Sequence, residues 1–159
     1  MSLTHETEFE KRRGISSVEV RHGYARVHVS RIEHQLMKER MRAMEAVSDA
    51  EVSIDFLKLT PTGLSFIVPN SQADSVDKAL APTGLYFSVK RDRSIVLVHA
   101  VNIRDEEGMI ANILKTTIAT CTQVDHVGDM HDRLLMVVRT ETVDAVLEQF
   151  RAIGVEVSA

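Results

Sequence analysis

The side chains that could transfer a proton, attack an electrophile or hold a metal are few and scattered in this chain. Seven histidines, His5, His22, His28, His34, His99, His126 and His131, show no HxH or HxxxH spacing. A carboxylate adjoins His5, His34, His126 and His131, in Asp125-His126 and His131-Asp132 among others, but no zinc set is spelled out and no metal is expected. The single Cys121 lies between two threonines with no basic neighbour to favour its thiolate, so it reads as a structural thiol. The glycines stand singly, which excludes a glycine-rich phosphate loop, and no serine sits in a nucleophile elbow. Asp125 and His126 are the one candidate acid–base pair, and no other residue pattern supports an enzyme built on them. Binding chemistry is the better expectation.

The elements that would position such residues follow from the apolar periodicity. Composition is that of a folded domain: 159 residues, 44% hydrophobic and 26% charged. Nineteen basic against 23 acidic residues leave a net charge of −4, which gives no pull toward nucleic acid or a membrane surface. With no Trp, two Tyr and five Phe, a base-stacking platform is not expected. No apolar run approaches the ~20 residues of a membrane span, and Met1 to Glu6 has no signal-peptide character, so the expected location is cytoplasmic. Residues 1–14 read as a disordered tail.

From Ile15 onward, short alternating runs interleave with helical ones. Val18 and Val20 mark a first strand, His22-Gly23 a turn, and Val27 and Val29 a second strand. Ile32, Leu36, Met37, Met41, Met44 and Val47 form a helical stripe, and the three methionines are expected to pack on the sheet. Strands at residues 52–58 and 64–68 flank Pro61-Thr62-Gly63, and a short helix carries Ala73, Val76, Ala79 and Leu80. Leu85 to Lys90 alternates, and Arg91-Asp92-Arg93 reads as a link. The rest repeats the pattern: an apolar strand at residues 95–101, a helix with Ile110, Ile113, Leu114, Thr117 and Ile118, strands at 123–127 and 134–138, a helix with Val143, Val146, Leu147 and Phe150, and a last strand with Val155 and Val157.

The repeat has a register. A shift of 70 residues lays Ile54-Asp55 on Val124-Asp125, Leu64 to Val68 on Leu134 to Val138, and Leu80 on Phe150. A shift of 69 lays Val27 on Val96 and Val29 on Val98. Each copy reads βαββαβ, and right-handed crossovers then put both helices on one face of a four-stranded antiparallel sheet. The expected fold is therefore α+β: two ferredoxin-like units, residues 15–91 with the lead-in strand and residues 92–159. Ser17 to Arg21 and Gly154 to Ser158 would pair within one unit or cross to the other.

At Ile15-Ser16-Ser17-Val18-Glu19-Val20, Ser65-Phe66-Ile67-Val68-Pro69 and Leu134 to Phe150, the chain resembles the regulatory region of aspartate kinases, a tandem pair of ACT domains. The likeness runs from Ile15 to the end. It implies a non-catalytic regulatory module, since the kinase catalytic domain is absent. It also implies a small amino-acid effector, often lysine or threonine, held at an interface between ACT units, with action through a homodimer or a partner enzyme of amino-acid metabolism. In that family the loop between first strand and first helix builds the site, opening with Asp-x-Pro-Gly or a variant. Here the first copy of that loop, Ser30-Arg31-Ile32-Glu33-His34-Gln35, has neither Pro nor Gly, whereas the second keeps Gly108.

The resemblance therefore points to the second unit, with Asn102, Arg104, Asp105, Glu107, Gly108, Met109, Ile110 and Asp125 as ligand-binding candidates. A helix N-terminus offers free N–H groups to a carboxylate. Gly108 lets the backbone approach, Arg104 adds a charge-assisted contact, and Asp105, Glu106 and Glu107 would take an ammonium. The acids read equally as ordinary first-turn residues that stabilise the helix. Asp55 and Asp125 hold equivalent strand positions and read as ligand contacts or as polar residues on a solvated face. Two rivals stand beside the sensor: a degenerate module that only dimerises or scaffolds, and the enzyme using Asp125 and His126.

Overall fold

The structure, a computed structural model, describes residues 14–101, 103, 107–120 and 123–158. Two long strands, β1 (Gly14–Ser30) and β4 (Tyr86–Val101), organise the chain. The expected turn at His22-Gly23 and link at Arg91-Asp92-Arg93 are not breaks: both strands run straight through them. Gly23 and Asp92 take left-handed φ values of 86° and 54° within the strands, so each deforms the backbone without ending it. Asp92 is held there by Asn70, whose side-chain amide donates to the Asp92 carboxylate (3.3 Å) and accepts from the Asp92 N–H (3.4 Å). The chain divides at these two places into two compact units.

The first unit is residues 23–93. After the second half of β1 come α1 (Leu36–Asp49), β2 (Asp55–Thr60), β3 (Gly63–Pro69), α2 (Ala73–Leu80) and the first half of β4. Its strand order is β2-β3-β1-β4, the ferredoxin-like arrangement, with β3 antiparallel to both β1 and β2. Val27 faces Phe66 and Val29 faces Leu64 in register, so alternation sends all four to one face. There they meet Ala43 and Val47 of α1 and Ala73, Val76 and Leu80 of α2, all buried. Removing side chains such as Leu64 and Phe66 from water is worth about 1.5–3 kcal/mol each.

Helix α1 starts at Leu36, four residues later than the stripe from Ile32 implied. The inward stripe is Leu36, Ala43 and Val47, with Met44 beside it, and Arg40 occupies the remaining place on it. The Arg40 guanidinium donates to the Gly63 carbonyl (2.9 Å) and to the Thr60 carbonyl, tying the helix to the β2–β3 turn. Met37 and Met41, expected on the sheet, are 64% and 57% exposed, because the later start turns them outward; Met44 alone of the three packs inward.

The second unit joins residues 94–159 to the lead-in stretch that ends at His22. It holds the first half of β1, the second half of β4, α3 (Met109–Ile118), β5 (Val124–Asp129), β6 (Arg133–Arg139), α4 (Val143–Ala152) and β7 (Glu156–Ser158). Strand β6 is antiparallel to β5, and β7 runs parallel to β1 with Ser17 opposite Glu156 and Val18 opposite Val157. The two terminal strands thus pair with each other, and β1 stands where a plain ferredoxin-like unit would put its last strand beside β4. The lead-in strand belongs to this unit for a packing reason: Val18 and Val20 share a core with Val96, Val98, Leu134, Met136, Val146 and Phe150. The 70-residue register holds between elements, since β3 maps onto β6 and α2 begins where α4 does.

Among the described residues no helix is long and apolar enough to cross a membrane, and no group of three His, Cys, Asp or Glu side chains could hold a metal ion.

Candidate functional site

In the unit of residues 23–93 the loop between first strand and first helix hangs on the neighbouring hairpin, the Ile32 N–H donating to the Thr62 carbonyl (2.9 Å); in the other unit the end of β4 is tied to the β5–β6 hairpin, the Ala100 N–H donating to the Asp132 carbonyl (2.9 Å). Both helices then open after a left-handed residue. Gly108 (φ 77°) precedes α3 and Gln35 (φ 54°) precedes α1. The carbonyl of each accepts the first helical hydrogen bond, Asn112 N–H to Gly108 at 2.9 Å and Glu39 N–H to Gln35 at 3.0 Å.

Of the expected ligand residues in the second unit, Asn102, Arg104 and Asp105 lie outside the described residues, as do Glu106 and Cys121. Glu107 is exposed beside Gly108 at the start of α3. Met109 and Ile110 turn toward the apolar core, Met109 as a member of it and Ile110 packed against it. Asp125 is partly buried on β5 and already engaged, while its counterpart Asp55 is exposed. His126, its neighbour in the acid–base reading, is only 7% exposed and also engaged. The structure therefore brings Glu107, Gly108, Met109 and Ile110 together at one helix start and leaves Asp125 on a separate strand.

The loop of the first unit forms a cleft of about 380 Å³, lined by residues 30–35, Glu39 and residues 84–86. Ile32 is buried and fixes the loop, while Arg31, Glu33 and His34 stay exposed around it. Arg31 adopts φ 60°, which swings its guanidinium to 3.8 Å from the centre of the Tyr86 ring, the first residue of β4. Such a cation–π contact is worth about 0.5–1 kcal/mol at an exposed site. Glu39 pairs with Arg42 on the next turn of α1 (2.7 Å), and Arg42 also donates to the Thr83 carbonyl on the far side. No side chain caps α1, so its first-turn N–H groups are not satisfied by a side-chain cap. The cleft thus sets a guanidinium and the Glu33 carboxylate, neither in an ion pair among the described residues, and a helix start around one small volume.

Reading the loop for Pro and Gly passed over Arg31, Glu33 and Tyr86. The available signal was the helix start: laying Leu36 on Met109 puts Gln35 on Gly108 and makes residues 30–35 the counterpart of the favoured loop.

Other polar groups are structural. His22 Nδ1 lies 2.8 Å from Ser94 Oγ, which lies 2.9 Å from Thr140 Oγ1, and this chain satisfies the fully buried Ser94. His99 Nε2 approaches Glu19 at 3.4 Å, and with Arg21 it holds the Glu19 carboxyl below the usual carboxylate range, Arg21 contributing most. His28 on β1 has a buried Nδ1 without a hydrogen-bond partner; burial pushes its pKa down, and the charges of Arg26 and Lys90 add to the effect.

No family model matches the chain, and no curated protein matches its sequence. Solved structures do match. The ligand-free regulatory subunit of aspartate kinase from Thermus thermophilus superposes with a TM-score of 0.78 at 15% identity, covering 88% of this chain and 97% of that one. The aspartokinase alpha and beta subunits give 0.79 at 15%, covering 89% of this chain and 100% of that one. E. coli aspartokinase III in complex with lysine and aspartate gives 0.70 at 9%, covering 89% of this chain and 34% of that one. This chain has the fold of the regulatory region of aspartate kinases, two ACT-type ferredoxin-like units.

Proposed function

We propose that the protein is a regulatory module, non-catalytic by itself, that binds a small amino acid at a strand-to-helix loop and acts as a homodimer or on a partner enzyme of amino-acid metabolism. The observation that carries this reading is the cleft at residues 30–35. Arg31 and Glu33 there offer one positive and one negative charge to a ligand that has one of each. The second loop, with Gly108 at the same backbone position and Asn102, Arg104, Asp105 and Glu107 before it, is the companion site. Regulation would follow from differential affinity, since an effector shifts an equilibrium only as far as it prefers one state. The family resemblance names lysine and threonine, one charged and one uncharged side chain, and the lysine complex of aspartokinase III adds support for an amino-acid effector, so these two are the first pair to compare.

A dimerisation scaffold without ligand is the second reading. It is favoured by exposed Leu57 and Leu59 on β2, the edge strand of its unit, together with exposed Met37 and Met41 on α1. An exposed apolar edge strand is a ready template for pairing with another chain.

Thermal unfolding against the twenty amino acids separates the two. A ligand at a hundred times its Kd adds about 2.7 kcal/mol, a rise of several degrees for a chain of this size. A rise lost in Arg31→Gln places the site at the first loop, and one lost in Gly108→Trp places it at the second. A flat panel at millimolar concentration leaves the scaffold, which sedimentation would then show as a dimer.

A further inference from the structure

The charges around the cleft say what kind of amino acid it takes. Arg31, Glu33, His34 and Glu39 are its titratable lining groups. Among the described residues, Arg31 forms no ion pair: its guanidinium face lies on Tyr86 and its N–H edge is free. Glu33 forms none either. Glu39, by contrast, is already neutralised by Arg42 at 2.7 Å. Two opposite charges are therefore available, which is the number that the α-carboxylate and α-ammonium of any amino acid consume.

A third charge on the ligand would meet no free partner. A side-chain ammonium would find the Tyr86 face occupied by Arg31 and the Glu39 carboxylate occupied by Arg42. A side-chain carboxylate would have to compete with the α-carboxylate for Arg31 and would face Glu33 and Glu39. The cleft is shielded from water at Glu39, whose side chain is 19% exposed, so a charge left unpaired there is costly.

Resting on the amino-acid-binding reading, we propose that this cleft selects amino acids with uncharged side chains, with Arg31 as the carboxylate clamp, Tyr86 as the residue that positions it, and Arg42 as the residue that denies Glu39 to a cationic ligand.

Calorimetric titration of the full chain with all twenty amino acids and L-norleucine, at pH 8 so that an ordinary imidazole carries no charge, tests this. The tightest ligand is expected to be uncharged. Lysine should bind about tenfold or more weakly than norleucine, its uncharged near-isostere, and glutamate should bind more weakly than glutamine by a similar factor. Arg42→Met should free Glu39, raise lysine affinity toward that of norleucine and widen the preference for glutamine over glutamate, because the freed carboxylate repels a second one. Adding Glu39→Gln to that variant should abolish the gain. A charged amino acid as the tightest ligand, or a lysine-to-norleucine ratio unmoved by Arg42→Met, overturns the selectivity but leaves amino-acid binding standing. Binding by none of the ligands overturns both.

Discussion

Helices α1 and α3 are each directly preceded by the same left-handed backbone conformation, reached with different residues. One uses Gly108 at φ 77°, where the left-handed region costs nothing; the other uses Gln35 at φ 54°, where a side chain costs about 1 kcal/mol. The helix start, and the hydrogen bond back to that residue, are the same in both. What the two copies share is therefore a left-handed conformation at the residue whose carbonyl starts the helix. Glycine is one way to reach it. The loop that lacks the glycine lines a charged cleft.

The strongest way to break the comparison is to detach a loop from its hairpin. A Cβ added to Gly63 would come within 1.8 Å of the Val29 carbonyl oxygen, at the junction of β1, β3 and the loop. Gly63→Ala should therefore cost about 3 kcal/mol or more, read as a lower urea midpoint, and should abolish any ligand response that depends on the first loop. At the matching register position the other unit carries Arg133, so Arg133→Ala should change stability by less than about 0.5 kcal/mol.

A smaller pair of substitutions exchanges the two solutions at the helix start. Gly108→Ala meets no atom within 4 Å and so isolates the φ penalty, about 1 kcal/mol of destabilisation. Gln35→Gly should move stability the other way by a similar or smaller amount, because relief of strain is offset by the freedom glycine adds to the unfolded chain. Equal and large losses in both would show that the Gln35 side chain holds the loop itself.

The smallest effect concerns pH. His28 and Leu97 hold corresponding strand positions, and only the histidine titrates. Its pKa in the fold lies below the ordinary 6.5, first because of burial and then because of Arg26 and Lys90. The unfolded chain therefore takes up this proton at a higher pH than the folded one. The resulting stability is intact above about pH 6.5 and is lost as pH falls from there through the lowered value. Copying the other unit with His28→Leu should flatten that acid limb of the urea midpoint against pH. An unchanged slope would assign the acid sensitivity elsewhere.

Much of the fold was legible because alternation and helical spacing record which face is buried. Val27, Val29, Leu64 and Phe66 announce one sheet face, and the 70-residue register repeats it at Val96, Val98, Leu134 and Met136. Periodicity is blind to continuity, however. Gly23 and Asp92 look like turn residues because they take turn-like φ values, yet each does so within an unbroken strand. The α1 face was misread because Ile32 is apolar for a different reason: it anchors the loop, and counting it as helix turns Met37 and Met41 inward. The first loop's lack of Pro and Gly turned attention to the second, and of the candidate cleft only the loop position was legible. The Arg31–Tyr86 contact was not, since it depends on β4 returning beside β1, which no local pattern of either segment encodes.

The parallel pairing of β7 with β1 carries a consequence for biosynthesis. Residues 23–93 form a unit that is continuous in the chain and can close as soon as β4 has emerged. Residues 14–22 are made before it but must wait for Val157 and its neighbours to complete their strand pairing. Of the described strands, the first to be made is thus among the last to be completed, and its apolar Val18 and Val20 need shielding until the later parts of their core are made.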